Sequence, residues 1–292
     1  MLPITQAVQT ADQPTLPRRP LGQTGHTVTL FGLGGEGVLR TYDRTTEAVR
    51  VIQRALDQGV NYCDTAPAYA GSMDYYGAAL GERRHDIFLA SKTHERSRDA
   101  SLRLLDESLR RLRTDHLDLW QLHDLRTMAE LDRIFARGGA LEALLQARQE
   151  GRVRFLGLTG HHDPAVLLEA MRRFTFDTVL VALNAADVHY LPFIPTVLAE
   201  AARRGMGVIG MKVYAQGALL GRGQLSADEA MGYVLSLPGV STVVIGCRTP
   251  AEVDANARIV RQFSPFDAQR QGALEARTRQ QAAAFLPYKR PR

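Results

Sequence analysis

The sequence predicts an α/β protein folded as a closed (β/α)8 barrel (a TIM barrel), with a short β-hairpin before the barrel. Short apolar segments alternate with helical segments from about residue 30 onward. This alternation is typical of parallel strands, because parallel neighbours need a crossover, which is usually a helix. Eight such units follow one another without a linker in a chain of 292 residues, and a barrel of this kind typically needs about 250 residues. The missing break favours a closed barrel over an open, doubly wound sheet.

The strands have local signatures. Residues 19–22, a glycine turn at Gly25 and residues 27–30 predict the hairpin. The barrel strands are expected near residue 30 and at residues 60–64, 87–92, 117–123, 153–159, 178–183, 207–212 and 242–245. We interpret residues 1–17, which are polar with scattered prolines, as a loose extension, and residues 18–292 as one barrel domain.

Spacing and capping residues indicate helices between these strands. One apolar stripe with helical steps is formed by Leu102, Leu105, Leu109 and Leu112. Helix starts are marked by Asp163 before Pro164, and at capping-box spacing by Ser226 with Glu229 and Thr249 with Glu252.

Composition excludes several function classes. Apolar residues make up 45% of the chain and charged residues 23%, which is the balance of a globular enzyme. No apolar run approaches the ~18 residues of a membrane span, and no secretory signal is evident, so we expect a cytoplasmic protein without a membrane partner. The net charge of +5 is dispersed, with one run at residues 289–292, and therefore does not indicate nucleic-acid binding. Cys63 and Cys247 are too few for a disulfide framework and lack metal-ligand spacing.

Ionisable residues stand where three of the predicted strands end. One strand ends in Asp64, with Tyr69 five residues on, the next ends in Lys92, and the following one in His123. In a barrel of this kind the active site is built at these carboxyl ends. Lys92 closes an apolar stretch, so its charge needs a partner, which Asp64 on the neighbouring strand can supply.

These four side chains have the chemistry to protonate a carbonyl oxygen while its carbon receives a hydride. A tyrosine can give the proton, and we expect a neighbouring ammonium to lower its pKa from about 10. In this scheme Asp64 holds Lys92 charged and His123 hydrogen-bonds the carbonyl oxygen. The hydride must come from a cofactor, because no side chain can supply it. Two alternatives are a structural Asp–Lys pair near a surface histidine, and a lyase or isomerase that forms a Schiff base on Lys92.

The segments around these residues resemble the aldo-keto reductase family. The resemblance lies in Asn61–Tyr69, Ala90–Thr93 and Gln121–Asp124, and in Leu21–Gly25 followed by LeuPheGlyLeuGlyGly. It implies that Asp64, Tyr69, Lys92 and His123 form a catalytic tetrad with Tyr69 as the general acid. It also implies a small carbonyl substrate and a nicotinamide cofactor that lies across the barrel mouth without a Rossmann domain. A non-enzymatic NADPH-binding sensor is the other function that this resemblance allows.

The adenine end of the cofactor is expected after the last strand, which ends at Gly246. The helix that follows offers free N–H groups and a dipole to a phosphate, and Arg248 can grip a 2′-phosphate with its planar fork. The resemblance places the adenine-phosphate site here, with Asn256 further along the helix, so NADPH is expected rather than NADH. Glu252 stands where many family members carry a basic residue, and it opposes a phosphate unless it turns back to cap the backbone.

The nicotinamide end departs from the family pattern. Thr159-Gly160 stands where the family often has a Ser-Asn pair, and Leu180 stands where it has a glutamine. Met211, which Lys212 follows, stands where the family has a tyrosine that stacks on the nicotinamide. We also assign Asn184 to this end.

The segment Gly32–Gly37 formally matches a dinucleotide fingerprint. The fingerprint needs a helix start directly after it and an acidic residue about twenty residues on, at the end of a second strand. No helix start follows here, and the acidic residue, Asp57, falls within a predicted helix. We therefore interpret the segment as the first barrel loop, in which Gly35 lets backbone approach the nicotinamide.

Three segments are candidates for substrate recognition: residues 124–138, residues 185–193 and the tail after residue 263. They mix apolar and basic side chains, which suits a partly apolar carbonyl compound.

Overall fold

A computed structural model describes residues 15–221 and 225–291. The strands are β1 Arg18–Pro20, β2 Thr27–Thr29, β3 Phe31–Gly37, β4 Tyr62–Asp64, β5 Phe88–Thr93, β6 Leu117–Leu122, β7 Val153–Gly160, β8 Thr178–Ala182, β9 Gly207–Met211 and β10 Val240–Cys247. The helices are α1 Thr45–Asp57, α2 Ser72–Ala79, α3 Arg98–Leu112, α4 Met128–Phe135, α5 Ala140–Gln149, α6 Pro164–Arg173, α7 Ala199–Arg203, α8 Ala227–Leu235, α9 Pro250–Arg261, α10 Ala268–Thr278 and α11 Ala282–Phe285.

Strands β3 to β10 pair in sequence order, and β10 pairs with β3 to close the barrel. All eight pairings are parallel, while β1 and β2 form a separate antiparallel hairpin. The predicted fold class is therefore confirmed. Each predicted strand overlaps an observed one, because period and apolar run length are local signals.

The predicted helix signals are confirmed with one exception. Asp163 accepts a hydrogen bond from Ala165 N at 2.9 Å, and Ser226 and Glu229 form a complete capping box. Thr249 Oγ1 accepts a hydrogen bond from Glu252 N at 3.3 Å, as a capping box requires. The Glu252 carboxylate, however, accepts from the backbone N–H of Arg248 at 2.7 Å and not from that of Thr249. The second capping box is therefore only half formed.

The apolar side chains form two layers. The larger layer lies between the barrel and its helices, and a smaller cluster lies inside the barrel. Leu21 and Val28 of the hairpin belong to the inner cluster. Gly22, at φ +54°, approaches the backbone of Gly207, the first residue of β9, so closely that a Cβ would lie 2.2 Å from Gly207 N. The hairpin therefore covers the amino end of the barrel, and the loops after the strands form the opposite mouth.

Two expectations about irregular segments were wrong where the structure describes them. Leu16 is only 4% exposed within the core, and Leu30 N donates to Pro17 O at 2.9 Å, so the end of the predicted loose extension is packed. Its first fourteen residues lie outside the described residues. Gly32–Gly37 lies within strand β3 and is not a loop. Its glycines allow the neighbouring strand β4 to pack closely, since a Cβ on Gly32 would lie 2.8 Å from the Tyr62 ring. Across the described ranges, no helix has the length and apolar character needed to cross a bilayer.

Candidate active site

The barrel brings the four predicted catalytic side chains to one mouth. Asp64 ends β4, Lys92 lies at the end of β5, and His123 follows β6 directly. Tyr69 lies in the turn between β4 and α2, where its N–H donates to Ala66 O at 3.0 Å. Because neighbouring parallel strands end at the same rim, residues distant in sequence converge there.

Lys92 and Asp64 form a buried ion pair. Lys92 is fully buried and Asp64 is 2% exposed, and the Lys92 ammonium donates to Asp64 Oδ1. The ammonium also donates to Thr65 O at 2.8 Å, and Gln121 Nε2 donates to Asp64 Oδ2 at 3.2 Å. Burial lowers the pKa of Lys92, but Asp64 and Tyr69 outweigh it, and the pKa lies above its usual value. Lys92 is therefore a charged ammonium at neutral pH, which disfavours the Schiff-base alternative.

Tyr69 lies between cations and next to His123. The Lys92 Nζ atom lies 4.9 Å from the centre of the Tyr69 ring, and the Arg40 guanidinium lies 5.2 Å from it. The Tyr69 hydroxyl lies 3.5 Å from His123 Nε2. Burial raises the pKa of Tyr69 by more than Lys92 lowers it, so the expected lowered pKa is wrong for the protein without ligands. Tyr69 is a protonated phenol throughout the neutral range.

His123 is a neutral imidazole. Burial, and then the charges of Lys92, His94 and Arg96, hold its pKa well below the usual 6.5. A neutral imidazole beside a phenol can form a hydrogen bond with a substrate oxygen without bringing another positive charge into the site.

The neutrality of His123 leads to a pH prediction. We expect kcat for carbonyl reduction, at saturating cofactor, to show no inflection near pH 6.5. An unfolded chain takes up a proton on His123 below about pH 6.5 and the folded chain does not, so the free energy of unfolding should fall as pH falls through this window. Rate profiles and urea unfolding of the wild type and His123→Gln between pH 5.5 and 8 test both points, and a wild-type rate that titrates near pH 6.5 would contradict the neutral assignment.

Gly35 in β3 lies directly behind Tyr69. A Cβ at this position would lie 2.7 Å from Tyr69 Cδ2 and 2.8 Å from Ser72 Oγ. Gly35 therefore helps to position the Tyr69 ring. The sequence alone assigns Gly35 only to the binding of the cofactor.

We expect Gly35→Ala to lower kcat by about 10- to 100-fold while the protein stays folded, because displacement of a catalytic group by about 1 Å can cost 10²-fold. Gly34→Ala is the matched control, since its Cβ would meet neighbours only at 3.5 Å or more. Steady-state kinetics and circular dichroism of both variants give the comparison. Equal activity of the two variants would show that the position of Tyr69 does not depend on Gly35.

The predicted adenine end suits an anionic group. Arg248 is exposed, and within the described ranges its guanidinium has no carboxylate partner. It precedes α9, a helix of twelve residues capped by Thr249. Glu252 turns back onto Arg248 N, the arrangement in which it opposes a phosphate least. Gly246 lets Glu36 approach, as a Cβ there would lie 2.5 Å from Glu36 Cβ.

Asn256 is buried and 6% exposed, with its amide directed inward. Its Oδ1 accepts from the Tyr214 hydroxyl at 2.9 Å, and its Nδ2 donates to Cys247 Sγ at 3.4 Å. Its contacts therefore support α9 and β10.

The predicted nicotinamide residues lie at the ends of β7, β8 and β9. Thr159 Oγ1 accepts from Asp124 N at 2.8 Å, which leaves the hydroxyl proton of Thr159 for another acceptor. Asn184 Nδ2 donates to Lys212 O at 3.1 Å and to the Tyr288 hydroxyl at 2.8 Å. Met211 packs against the inner barrel cluster that contains Leu180.

Sequence reasoning missed two features of this mouth. Gln121 fixes the second oxygen of Asp64, and its position two residues before His123, on the inward-facing register of β6, was an available signal. The C-terminal residues Tyr288 and Lys289 are buried or half-buried at the mouth, although Lys289 begins the one run of basic residues in the sequence. No local signal identifies this packing, because its partners lie about a hundred residues away.

Comparisons with known proteins agree with this geometry. The aldo/keto reductase family matches residues 30–230. L-galactose dehydrogenase of Arabidopsis thaliana is 25% identical over an alignment of 288 positions, and the alignment covers 84% of this chain and 88% of that enzyme. Pyridoxal 4-dehydrogenase of Microbacterium luteolum is 24% identical over an alignment of 326 positions, and the alignment covers 85% of this chain and 94% of that enzyme. The solved holo form of an aldo-keto reductase from Bacillus halodurans superposes with a TM-score of 0.77 at 25% identity, over 90% of this chain and 96% of that one.

The family match runs from the residue before β3 into α8 and includes all four residues of the predicted tetrad. It spans more than half of the chain, and the closed barrel is the fold of the Bacillus halodurans enzyme. This chain therefore belongs to the aldo/keto reductase family of oxidoreductases.

Proposed function

We propose that this protein is an NADPH-dependent reductase that converts an aldehyde or ketone into an alcohol. The observation that carries the proposal is the Tyr69 phenol held between the buried Lys92–Asp64 pair and the neutral His123 at the carboxyl end of the barrel. Free, buried thiols at Cys63 and Cys247 suit the reducing cytoplasm that we expect for it.

The bound nicotinamide supplies the hydride. Tyr69 donates its proton to the carbonyl oxygen, which becomes an alkoxide as the hydride arrives. An alkoxide is a stronger base than a phenolate, so the transfer is favourable even from a phenol whose pKa burial has raised. Lys92 stabilises the negative charge that then develops on Tyr69, and this stabilisation is strong because the site is buried.

His123 and Asp64 act through position and charge. His123 Nε2, 3.5 Å from the Tyr69 hydroxyl, holds the substrate oxygen beside that hydroxyl. Asp64 keeps Lys92 charged and directs its ammonium, while Thr65 O accepts a second hydrogen bond from the ammonium and Gln121 donates to the other Asp64 oxygen. A buried ion pair with each charge hydrogen-bonded can keep one arrangement through the reaction.

The cofactor preference rests on Arg248 and α9. An exposed guanidinium before a capped helix N-terminus suits a 2′-phosphate, which NADPH carries and NADH lacks. The residues proposed to line the nicotinamide end of the cofactor are Thr159, Met211, Lys212 and Asn184. Those proposed to support its adenine end are Gly246, Glu252 and Asn256.

The test is oxidation of NADPH and of NADH against a panel of aldehydes and ketones. Because the two named relatives are dehydrogenases, the reverse reaction with NADP⁺ and alcohols belongs in the same experiment. We expect turnover with NADPH to exceed that with NADH. Tight NADPH binding without turnover of any substrate would overturn the reductase proposal in favour of a cofactor sensor.

A further inference from the structure

The C-terminal segment, residues 286–290, crosses the barrel mouth after α11. Tyr288 O lies 3.4 Å from His161 Nδ1 and 3.3 Å from His162 Nδ1, and Arg290 N donates to His162 O at 3.0 Å. Leu286 is buried in the core. The segment therefore packs on the residues that follow β7.

A second buried ion pair anchors this segment. The Lys289 ammonium donates to Asp187 Oδ1 at 2.5 Å, to Tyr190 O at 2.7 Å and to Leu191 O at 3.0 Å. The other Asp187 oxygen accepts from two backbone N–H groups, those of Phe193 and Ile194. Because both charges are hydrogen-bonded, the pair holds the segment against the loop after β8 in one register.

The anchor fixes Tyr288 among residues of the proposed nicotinamide end. Its hydroxyl accepts from Asn184 Nδ2 at 2.8 Å, and the Lys212 ammonium lies 5.8 Å from its ring centre. The His161 ring meets the Tyr288 ring edge-on at 5.6 Å. Within the part of the chain that the structure describes, the hydroxyl proton of Tyr288 has no acceptor.

The strand order explains why this position matters for the cofactor. Arg248 follows β10, whereas Tyr69, Lys92 and His123 belong to the ends of β4, β5 and β6. A cofactor bound at Arg248 through its phosphate and reaching Tyr69 with its hydride-donating ring would lie over the mouth that Tyr288 borders. Tyr288 contacts residues that follow β7, β8 and β9, and these strands form the side of the barrel opposite β3 and β4.

We propose that Tyr288 positions the nicotinamide end of the cofactor, its ring packing against the cofactor and its hydroxyl donating a hydrogen bond to it. This inference rests on the proposed function. An aromatic ring presents a flat apolar surface to a planar heterocycle at low entropic cost, and an anchored one is already ordered before the cofactor binds.

The experiment compares two ligands by calorimetric titration: NADP⁺, and 2′-phospho-ADP-ribose, which lacks only the nicotinamide. We expect Tyr288→Leu to weaken NADP⁺ binding by about tenfold and Tyr288→Phe by severalfold, since a lost ring contact and a lost hydrogen bond each have effects of this order. Both variants should bind 2′-phospho-ADP-ribose as the wild type does. A merely structural role of the tail would weaken both ligands equally.

The anchor is tested with Lys289→Met against Arg290→Met. Arg290 is the exposed neighbour and pairs at the surface with Asp163, so its loss should leave both dissociation constants unchanged. Lys289→Met should reproduce the selective loss of NADP⁺ affinity. Unchanged or tighter NADP⁺ binding in the Tyr288 variants would overturn the inference, and tighter binding would identify the tail as an obstruction. If the wild type binds neither ligand, the proposed function itself fails, and this inference fails with it.

Discussion

Replacing Tyr69 by Phe should lower kcat for carbonyl reduction by at least about 100-fold and leave the dissociation constant of NADPH nearly unchanged. The substitution removes the hydroxyl that lies 3.5 Å from His123 Nε2 and leaves the ring between Lys92 and Arg40. The proton for the alkoxide must then come from water, whose approach the buried site restricts. Steady-state kinetics together with fluorescence titration of NADPH separate the chemical step from binding.

Tyr75→Phe is the matched control for this loss. Tyr75 is also buried, and its hydroxyl donates to Thr41 O at 3.0 Å and accepts from Arg44 N at 3.1 Å. Neither hydrogen bond joins Tyr75 to a residue of the predicted tetrad. Loss of the Tyr75 hydroxyl should therefore lower the free energy of unfolding by about 1 kcal/mol and leave kcat nearly unchanged. Turnover by Tyr69→Phe at the rate of Tyr75→Phe would remove Tyr69 from the role of general acid.

The sequence could predict the barrel because its signals are local. His123 follows β6 directly and Lys92 lies at the end of β5, and parallel pairing alone then places both at one rim. The convergence of Asp64, Lys92 and His123 therefore follows from strand order, whereas the position of Tyr69 depends on the turn between β4 and α2. The motifs around Asp64, Lys92 and His123 that resemble the aldo/keto reductases lie at these same strand ends. The chemistry of the side chains and the family match therefore point to the same residues.

Properties that depend on burial by distant residues could not be predicted in this way. The pKa of Tyr69 is raised although Lys92 lies beside it, because desolvation by the surrounding chain outweighs one charge. Lys289 stands in a basic run and yet is 4% exposed, because Asp187 and backbone carbonyls 98 to 102 residues away surround its ammonium. Spacing rules contain no information about either environment.

Lys92→Met should abolish most of the activity and also destabilise the fold. Removing the ammonium leaves the Asp64 carboxylate buried, and among the residues that the structure describes only the Gln121 amide then remains as its partner. Breaking one side of a buried ion pair typically costs about 3–5 kcal/mol, and loss of the charge that stabilises the phenolate should lower kcat by at least about 100-fold. Urea unfolding and steady-state kinetics measure the two losses independently.

The pH dependence of that destabilisation identifies its cause. Burial already raises the pKa of Asp64, and Lys92 opposes this rise, so without Lys92 the folded-state pKa rises further above the unfolded value of about 3.9. The folded variant then binds a proton that the unfolded chain has lost. Its deficit in unfolding free energy should therefore grow as pH rises from about 4 towards the raised pKa of Asp64.

The double variant Asp64→Asn/Lys92→Met separates stability from catalysis. It removes both charges, so the pH-dependent part of the deficit should disappear and most of the lost stability should return, because replacing a whole buried pair costs far less than breaking it. Its activity should stay as low as that of Lys92→Met, since no ammonium remains beside Tyr69. A double variant that regains turnover along with stability would show that Lys92 serves only to neutralise Asp64, and the proton-transfer role assigned to the Lys92–Tyr69 contact would then be wrong.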